Sequence, residues 1–182
     1  MGDTRVFTWW LTGLPAAGKT TLARALATRL RADGKAVCVI DGDELRHGLS
    51  RDLGFSVQDR EENMRRAAEL AALLNAQGLH AVVALVSPTR SGRTQAAAIV
   101  GLGRFLEVHV STSLEVCRAR DPKGLYARAS KDPAVGLTGL QAPYEAPQAP
   151  YLSLDTASLS VDAAVRQLLH SLPPYPEDLS HE

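Results

Sequence analysis

The sequence predicts an α/β fold: a parallel sheet of about five strands with helices on both faces, three layers in all. Three observations point to it. Short apolar runs alternate with stretches of helical periodicity. The first run leads through a Gly-rich loop into a helix. The polar and charged residues that stand out follow the strands, where ligands of parallel sheets sit.

In chain order, Val6–Thr12 is rich in β-branched and aromatic residues and reads as the first strand. Thr20–Arg31 places Leu22, Leu26 and Leu30 on one helical face. Ala36–Ile40 is the second strand, and Glu61–Ala76 the next helix. His80–Val86, Gly92–Val100, Phe105–Val110 and Leu114–Arg120 continue the alternation. A weaker strand, Tyr151–Leu154, and a helix over Val161–Leu172 close it. Residues 121–150 differ in texture, with five prolines (Pro122, Pro133, Pro143, Pro147, Pro150) and glycines between them. The interleaved Leu125, Tyr126, Leu137, Leu140 and Tyr144 favour an ordered lid over a linker.

The 182 residues suffice for one domain, expected over residues 1–172, with a fraying, polar, Pro-containing tail at 173–182. Twenty basic and twenty acidic residues cancel, so no global positive field favours nucleic acid. No apolar run is long enough to span a membrane, and no signal peptide precedes the first strand, so a cytoplasmic location is expected. Cys38 and Cys117 have no metal-ligand spacing and read as reduced, packed residues.

The loop itself, Gly13-Leu14-Pro15-Ala16-Ala17-Gly18-Lys19-Thr20, reads G-x-x-x-x-G-K-T. Small residues let backbone N–H groups converge on one anion, and the following helix adds its positive end. Lys19 is expected at the β- and γ-phosphates of ATP, with Thr20 ligating Mg²⁺ and Thr21 beside it. After the second strand comes Asp41-Gly42-Asp43. Two carboxylates at i and i+2 can serve Mg²⁺ and an acceptor hydroxyl. The plainer alternative is a polar turn in which Asp43 caps the next helix.

Downstream motifs narrow the reading. D-G-D-x-x-R-H-G-L at 41–49, D-L-G-F-S at 52–56 and D-R-x-x-N-x-R-R at 59–66 follow the loop in order. Ser87-Pro88, R-D-P-K-G-L-Y at 120–126, Thr138-Gly139 and P-Y-E-A-P at 143–147 continue the series. From about Phe7 to Asp155 the chain resembles the adenylylsulfate kinase (APS kinase) family of P-loop kinases. The resemblance implies Mg²⁺-dependent transfer of the ATP γ-phosphoryl group to the 3′-hydroxyl of adenosine 5′-phosphosulfate (APS). The products would be ADP and 3′-phosphoadenosine 5′-phosphosulfate, for sulfate assimilation. It also allows for a homodimer, and for ATP sulfurylase as a fused or separate partner.

Carried over residue by residue, the resemblance makes Asp43 the candidate base and Mg²⁺ organiser, with Asp41 beside the acceptor. Arg46 and Arg60 would hold the phosphosulfate and ribose side, as a planar guanidinium suits anionic oxygens. Phe55 would pack on the acceptor adenine, with Asn63 as a polar contact. Ser87-Pro88 and Leu125 would line the acceptor side. Lys123 would approach the phosphates on lid closure, and Arg120 would lie over the ATP adenine. Ser87 aligns with a serine once proposed as a phosphorylated intermediate. Direct in-line transfer needs only positioning and charge neutralisation, so a hydrogen bond near the acceptor is expected of it. Arg65 and Arg66 read instead as a solvated face pairing with neighbouring glutamates. Taken singly, Phe55 reads as a core residue and Lys123 as an exposed loop lysine.

The chain departs from the family pattern at Glu44, Thr89 and Leu137. A leucine at 137 offers no π-face to sandwich the adenine against Phe55, and Glu44 adds charge near an anionic substrate. A different 5′-modified nucleotide is therefore an alternative acceptor. A non-catalytic nucleotide-binding regulatory domain is the alternative from another class, opposed by the presence of Lys19, Thr20, Asp41 and Asp43.

Overall fold

The computed structural model describes residues 5–132 and 135–172. Five parallel strands form one sheet in the order β2-β3-β1-β4-β5: β1 (Thr8–Thr12), β2 (Val37–Asp41), β3 (His80–Ala84), β4 (Phe105–Val110) and β5 (Leu152–Leu154). The predicted strands are all present, each within two residues of its expected ends. Because β1 is central and its neighbours are β3 and β4, strand order reverses at β1, and a crevice opens above its carboxyl end.

Seven helices connect the strands among the described residues: α1 (Lys19–Ala32), α2 (Gly42–His47), α3 (Val57–Ala76), α4 (Arg90–Val100), α5 (Leu114–Arg120), α6 (Leu125–Ala129) and α7 (Val161–His170). They cover both sheet faces, which explains the two separate apolar cores. Trp9 and Trp10, adjacent in β1, must point to opposite faces. Trp9 joins Leu22, Leu26, Val108, Val165 and Leu168 under α1 and α7. Trp10 joins Met64, Ala67, Ala71, Val83 and Ala96 under α3 and α4. Close packing between α3 and α4 depends on Gly92, where an added Cβ would lie 2.1 Å from the Met64 methyl.

Two helices were not foreseen. α2 spans only six residues and starts at a glycine, and α6 spans five inside the Pro-rich segment. α3 begins at Val57, about a turn before the predicted Glu61. Ser56 caps it by accepting from the Asp59 amide, a signal legible in Ser56-x-x-Asp59. The segment 121–150 is packed against the domain, as its apolar residues suggest, with Pro133 outside the described residues. The tail at 173–182 also lies outside them. No described helix is long and apolar enough to cross a membrane.

Candidate active site

The Gly-rich loop leaves β1 at the switch point. Gly13 passes so close to β4 that a Cβ would sit 2.5 Å from the Val110 carbonyl oxygen. Gly18 closes the loop at φ 99°, in the left-handed region, and α1 starts at the next residue. The loop carbonyls are occupied. Lys19 Nζ donates to those of Gly13 (2.9 Å) and Leu14 (2.7 Å). Tyr126 Oη donates to Pro15 (3.0 Å), and Thr156 (2.7 Å) and Thr112 (3.2 Å) donate to Ala17. Among the described residues, the N–H groups of Gly18, Lys19 and Thr20 have no protein acceptor. Together with the helix end they form a cradle for an anion. Thr21, by contrast, faces solvent.

Burial pulls the Lys19 ammonium from its ordinary 10.5 to about 8, while nearby Asp41 and Asp43 work the other way. Both carboxylates thus lie within electrostatic reach of the loop. They divide the work differently from the expectation that paired Thr20 with Asp43. Thr20 Oγ1 donates to Asp41 Oδ2 at 2.7 Å. Asp41 Oδ1 accepts the Asp43 amide and so caps α2, which corrects the alternative that made Asp43 the cap. Asp43 stays exposed and forms an ion pair with Lys123 of the lid. The hydroxyl and carboxylate oxygens of Thr20, Asp41 and Asp43 suit a hard divalent cation that keeps water and phosphate ligands.

Arg120 lies beside the loop from the other direction, donating to the Thr156 hydroxyl (2.7 Å) and carbonyl (2.8 Å). Thr112 and Thr156, whose hydroxyls meet at 2.8 Å, therefore tie Arg120 to Ala17. Sequence reasoning missed both threonines, which carry no local pattern.

Beyond Asp43, Phe55 is 63% exposed, so the core reading of it fails. Its ring is flanked by the guanidinium groups of Arg46 (4.3 Å to the centroid) and Arg60 (5.5 Å). Arg46 donates to the carbonyls of Leu53 and Gly54, and Arg60 to those of Phe55 and Gly136. Among the described residues neither pairs with a carboxylate, and burial lowers both below the usual guanidinium range, Arg60 further disfavoured by Arg46. Two such cations side by side favour an anion between them. One turn beyond Arg60, Asn63 is buried with its Oδ1 lacking a partner among the described residues, an unmet acceptor on the same helix. Arg65 and Arg66 pair with Glu62, Glu69 and Asp52, as a structural face should.

Other residues expected at the acceptor are packed into the protein. Ser87 is 2% exposed, and its hydroxyl accepts from Trp10 Nε1 at 2.9 Å, so it is engaged in the core beneath the cleft. Pro88 is likewise buried, its carbonyl accepting the Glu145 amide. Leu137 is 8% exposed and belongs to the core cluster with Tyr126 and Ala129, which the half-buried Leu125 also packs against. The other two departures from the family pattern have structural occupations: Glu44 reaches Arg24 on α1 at 3.4 Å, and Thr89 caps α4 and donates to Glu61.

A Gly-rich phosphate cradle at the switch point, a Thr–Asp pair beneath it and a lid lysine, Lys123, at the cleft define a P-loop phosphotransferase. The adenylylsulphate kinase family matches residues 5–155, and the chain belongs to that family. The adenylyl-sulfate kinase of Shewanella denitrificans is 49% identical over 160 residues, covering 88% of this chain and 78% of that protein. That of Vibrio cholerae is 49% identical over 163 residues, covering 90% and 76%. Among solved structures, the Mycobacterium tuberculosis APS kinase CysC in complex with AMPPNP and APS superposes with a TM-score of 0.87 at 39% identity. It covers 92% of this chain and 98% of that one.

Proposed function

We propose that this chain transfers the γ-phosphoryl group of ATP to the 3′-hydroxyl of APS, and that Asp43 and Lys123 carry the exchange between the two nucleotides. The observation that carries this reading is the Asp43–Lys123 pair, which joins the carboxylate after β2 to the lid within electrostatic reach of Lys19. Lys19 gives up the Gly13 and Leu14 carbonyls for the β- and γ-phosphates. Thr20, Asp41 and Asp43 would hold Mg²⁺, which neutralises phosphate charge. Arg120 lies on the ATP adenine side.

On the acceptor side Arg46 and Arg60 take the phosphosulfate, Phe55 packs on the adenine and the orphaned Asn63 Oδ1 accepts a hydrogen bond from the nucleotide. Lys123 leaves Asp43 for the phosphates, and the freed carboxylate accepts the proton of the 3′-hydroxyl. The 3′-oxygen forms the new bond to phosphorus as the bond to the ADP oxygen breaks. Glu44 reaches Arg24 and Thr89 donates to Glu61, which supports APS over a different 5′-modified nucleotide.

ADP release with APS, measured beside other 5′-modified nucleotides, tests the reading. Saturating turnover of APS at micromolar concentration is expected. Turnover of another nucleotide in its place, or none at all, overturns it.

A further inference from the structure

Arg93, in the second turn of α4, was not among the predicted site residues, yet it is the most fully engaged cation near the cleft. It is 3% exposed. Its Nε donates to Glu107 of β4 at 2.7 Å, Nη1 to the Ser87 carbonyl at 2.7 Å and Nη2 to the Glu145 carbonyl at 2.6 Å. The guanidinium also lies 6.0 Å from the centroid of the Tyr144 ring. Three nitrogens thus join three parts of the chain: the sheet, the corner after β3 and the trailing end of the lid.

The corner needs such support. Ser87 is held at φ 49°, a left-handed conformation that a serine adopts only when its surroundings enforce it. Its carbonyl accepts from Arg93 and, at 3.3 Å, from Thr12, the residue that opens the Gly-rich loop. Tyr144 meets the same Thr12 hydroxyl at 3.0 Å. Next to it, the Glu145 amide donates to the Pro88 carbonyl, and the Glu145 carboxylate accepts the Arg90 amide. The trailing end of the lid is thereby fixed to β1, to the corner after β3 and to α4. Its leading end is anchored at Tyr126, whose hydroxyl donates to Pro15, but Lys123 itself reaches the cleft through its ion pair with Asp43, both more than half exposed.

Resting on the proposed phosphoryl transfer, we infer that Arg93 is a positioning residue. It locks the trailing end of the lid and the Ser87 corner to β4, so that the leading end brings Lys123 down in a single register. A lysine would keep the charge beside Glu107, but one ammonium cannot reproduce a planar three-way junction.

The test compares kcat, both KM values and a directly titrated ATP Kd for the parent, Arg93→Lys and Tyr144→Phe, each well below its melting temperature. For Arg93→Lys, kcat per folded molecule is expected to fall by about 100-fold, the cost of a small misplacement at a reacting centre. KM for APS should rise while ATP Kd stays within about twofold, since Arg93 touches no residue of the phosphate cradle. Tyr144→Phe keeps the ring under Arg93 and loses only the bond to Thr12. It should show a smaller fall in kcat with an unchanged melting temperature, and it carries the test alone if Arg93→Lys does not fold. Parental kcat per folded molecule in every variant that folds makes Arg93 a purely structural residue and overturns the inference. A parent that does not turn over APS sinks the functional reading first, a result separate from any difference among variants.

Discussion

The two halves of the cleft are built differently. On the donor side each loop carbonyl named above has a partner, and Lys19 is buried and bonded before any phosphate arrives. On the acceptor side Phe55 stands exposed, and among the described residues Arg46 and Arg60 donate to backbone carbonyls alone and Asn63 Oδ1 has no partner. The backbone of the cradle is built in advance, and binding its ligand requires only that Lys19 turn from the Gly13 and Leu14 carbonyls to the phosphates. An open set of cations and an unmet acceptor must be completed by the ligand. The donor half therefore stores its organisation in the fold, and the acceptor half obtains it from the substrate and the lid.

Asp43 belongs to both halves, so its removal gives the largest effect. Asp43→Ala should lower kcat by about 10³-fold, within the range for a lost general base. ATP should still bind, because the cradle does not use this side chain. Steady-state turnover together with ATP titration checks it, and an unchanged kcat would refute Asp43 as the catalytic carboxylate.

Phe55→Ala should separate the halves cleanly. Loss of a base-stacking ring costs roughly 1–3 kcal/mol, so acceptor affinity should weaken by about 10- to 100-fold. ATP affinity should not move. An equal loss for both nucleotides would mean that the ring supports the whole cleft, and the contrast between halves would fail.

The same contrast governs what the sequence disclosed. The sheet was legible because buried parallel strands read as short apolar runs separated by helices. The cradle was legible because its chemistry depends on contiguous residues. Asp41 was seen, but its bond to Thr20, 21 positions away, was not. Arg93, Thr112 and Thr156 act through contacts distant in sequence, which leave no periodicity or spacing to read. The bond from Trp10 to the Ser87 hydroxyl was not legible either, because position after β3 says nothing about side-chain direction. The burial of Leu137 was likewise out of reach, since a motif fixes order along the chain and not side-chain direction.

Titration of Lys19 probes the donor half alone. In the free protein its ammonium is near 8, and phosphate oxygens would raise it. ATP affinity should therefore be flat below that pH and fall by about tenfold per unit above it, as the free protein must first regain the proton. Calorimetric Kd values from pH 7 to 9.5 measure this, with Lys19→Arg, which keeps its charge, as the flat control. A parental curve flat through pH 9.5 would place Lys19 in contact with water and break the claim of a pre-built cradle.

The smallest effect concerns the frame beneath that cradle. At the opposite end of the sheet His80 of β3 accepts the Phe7 amide at Nδ1, at 3.0 Å, and packs on Trp9 of β1. Burial, aided by Lys35, holds its pKa below the ordinary 6.5. The unfolded chain then takes up this proton before the folded one does. The contribution of His80 is complete above pH 6.5 and is lost as pH falls through the window down to the depressed folded value. Half-buried His109, lowered by burial and Arg93, adds loss of the same sign. Urea midpoints should fall between pH 7 and 5, and His80→Gln should flatten part of that slope while leaving the His109 share. If the slope is the same in the variant, the neutral imidazole does not tie β1 to β3, and the rigidity of the donor half rests on its apolar packing alone.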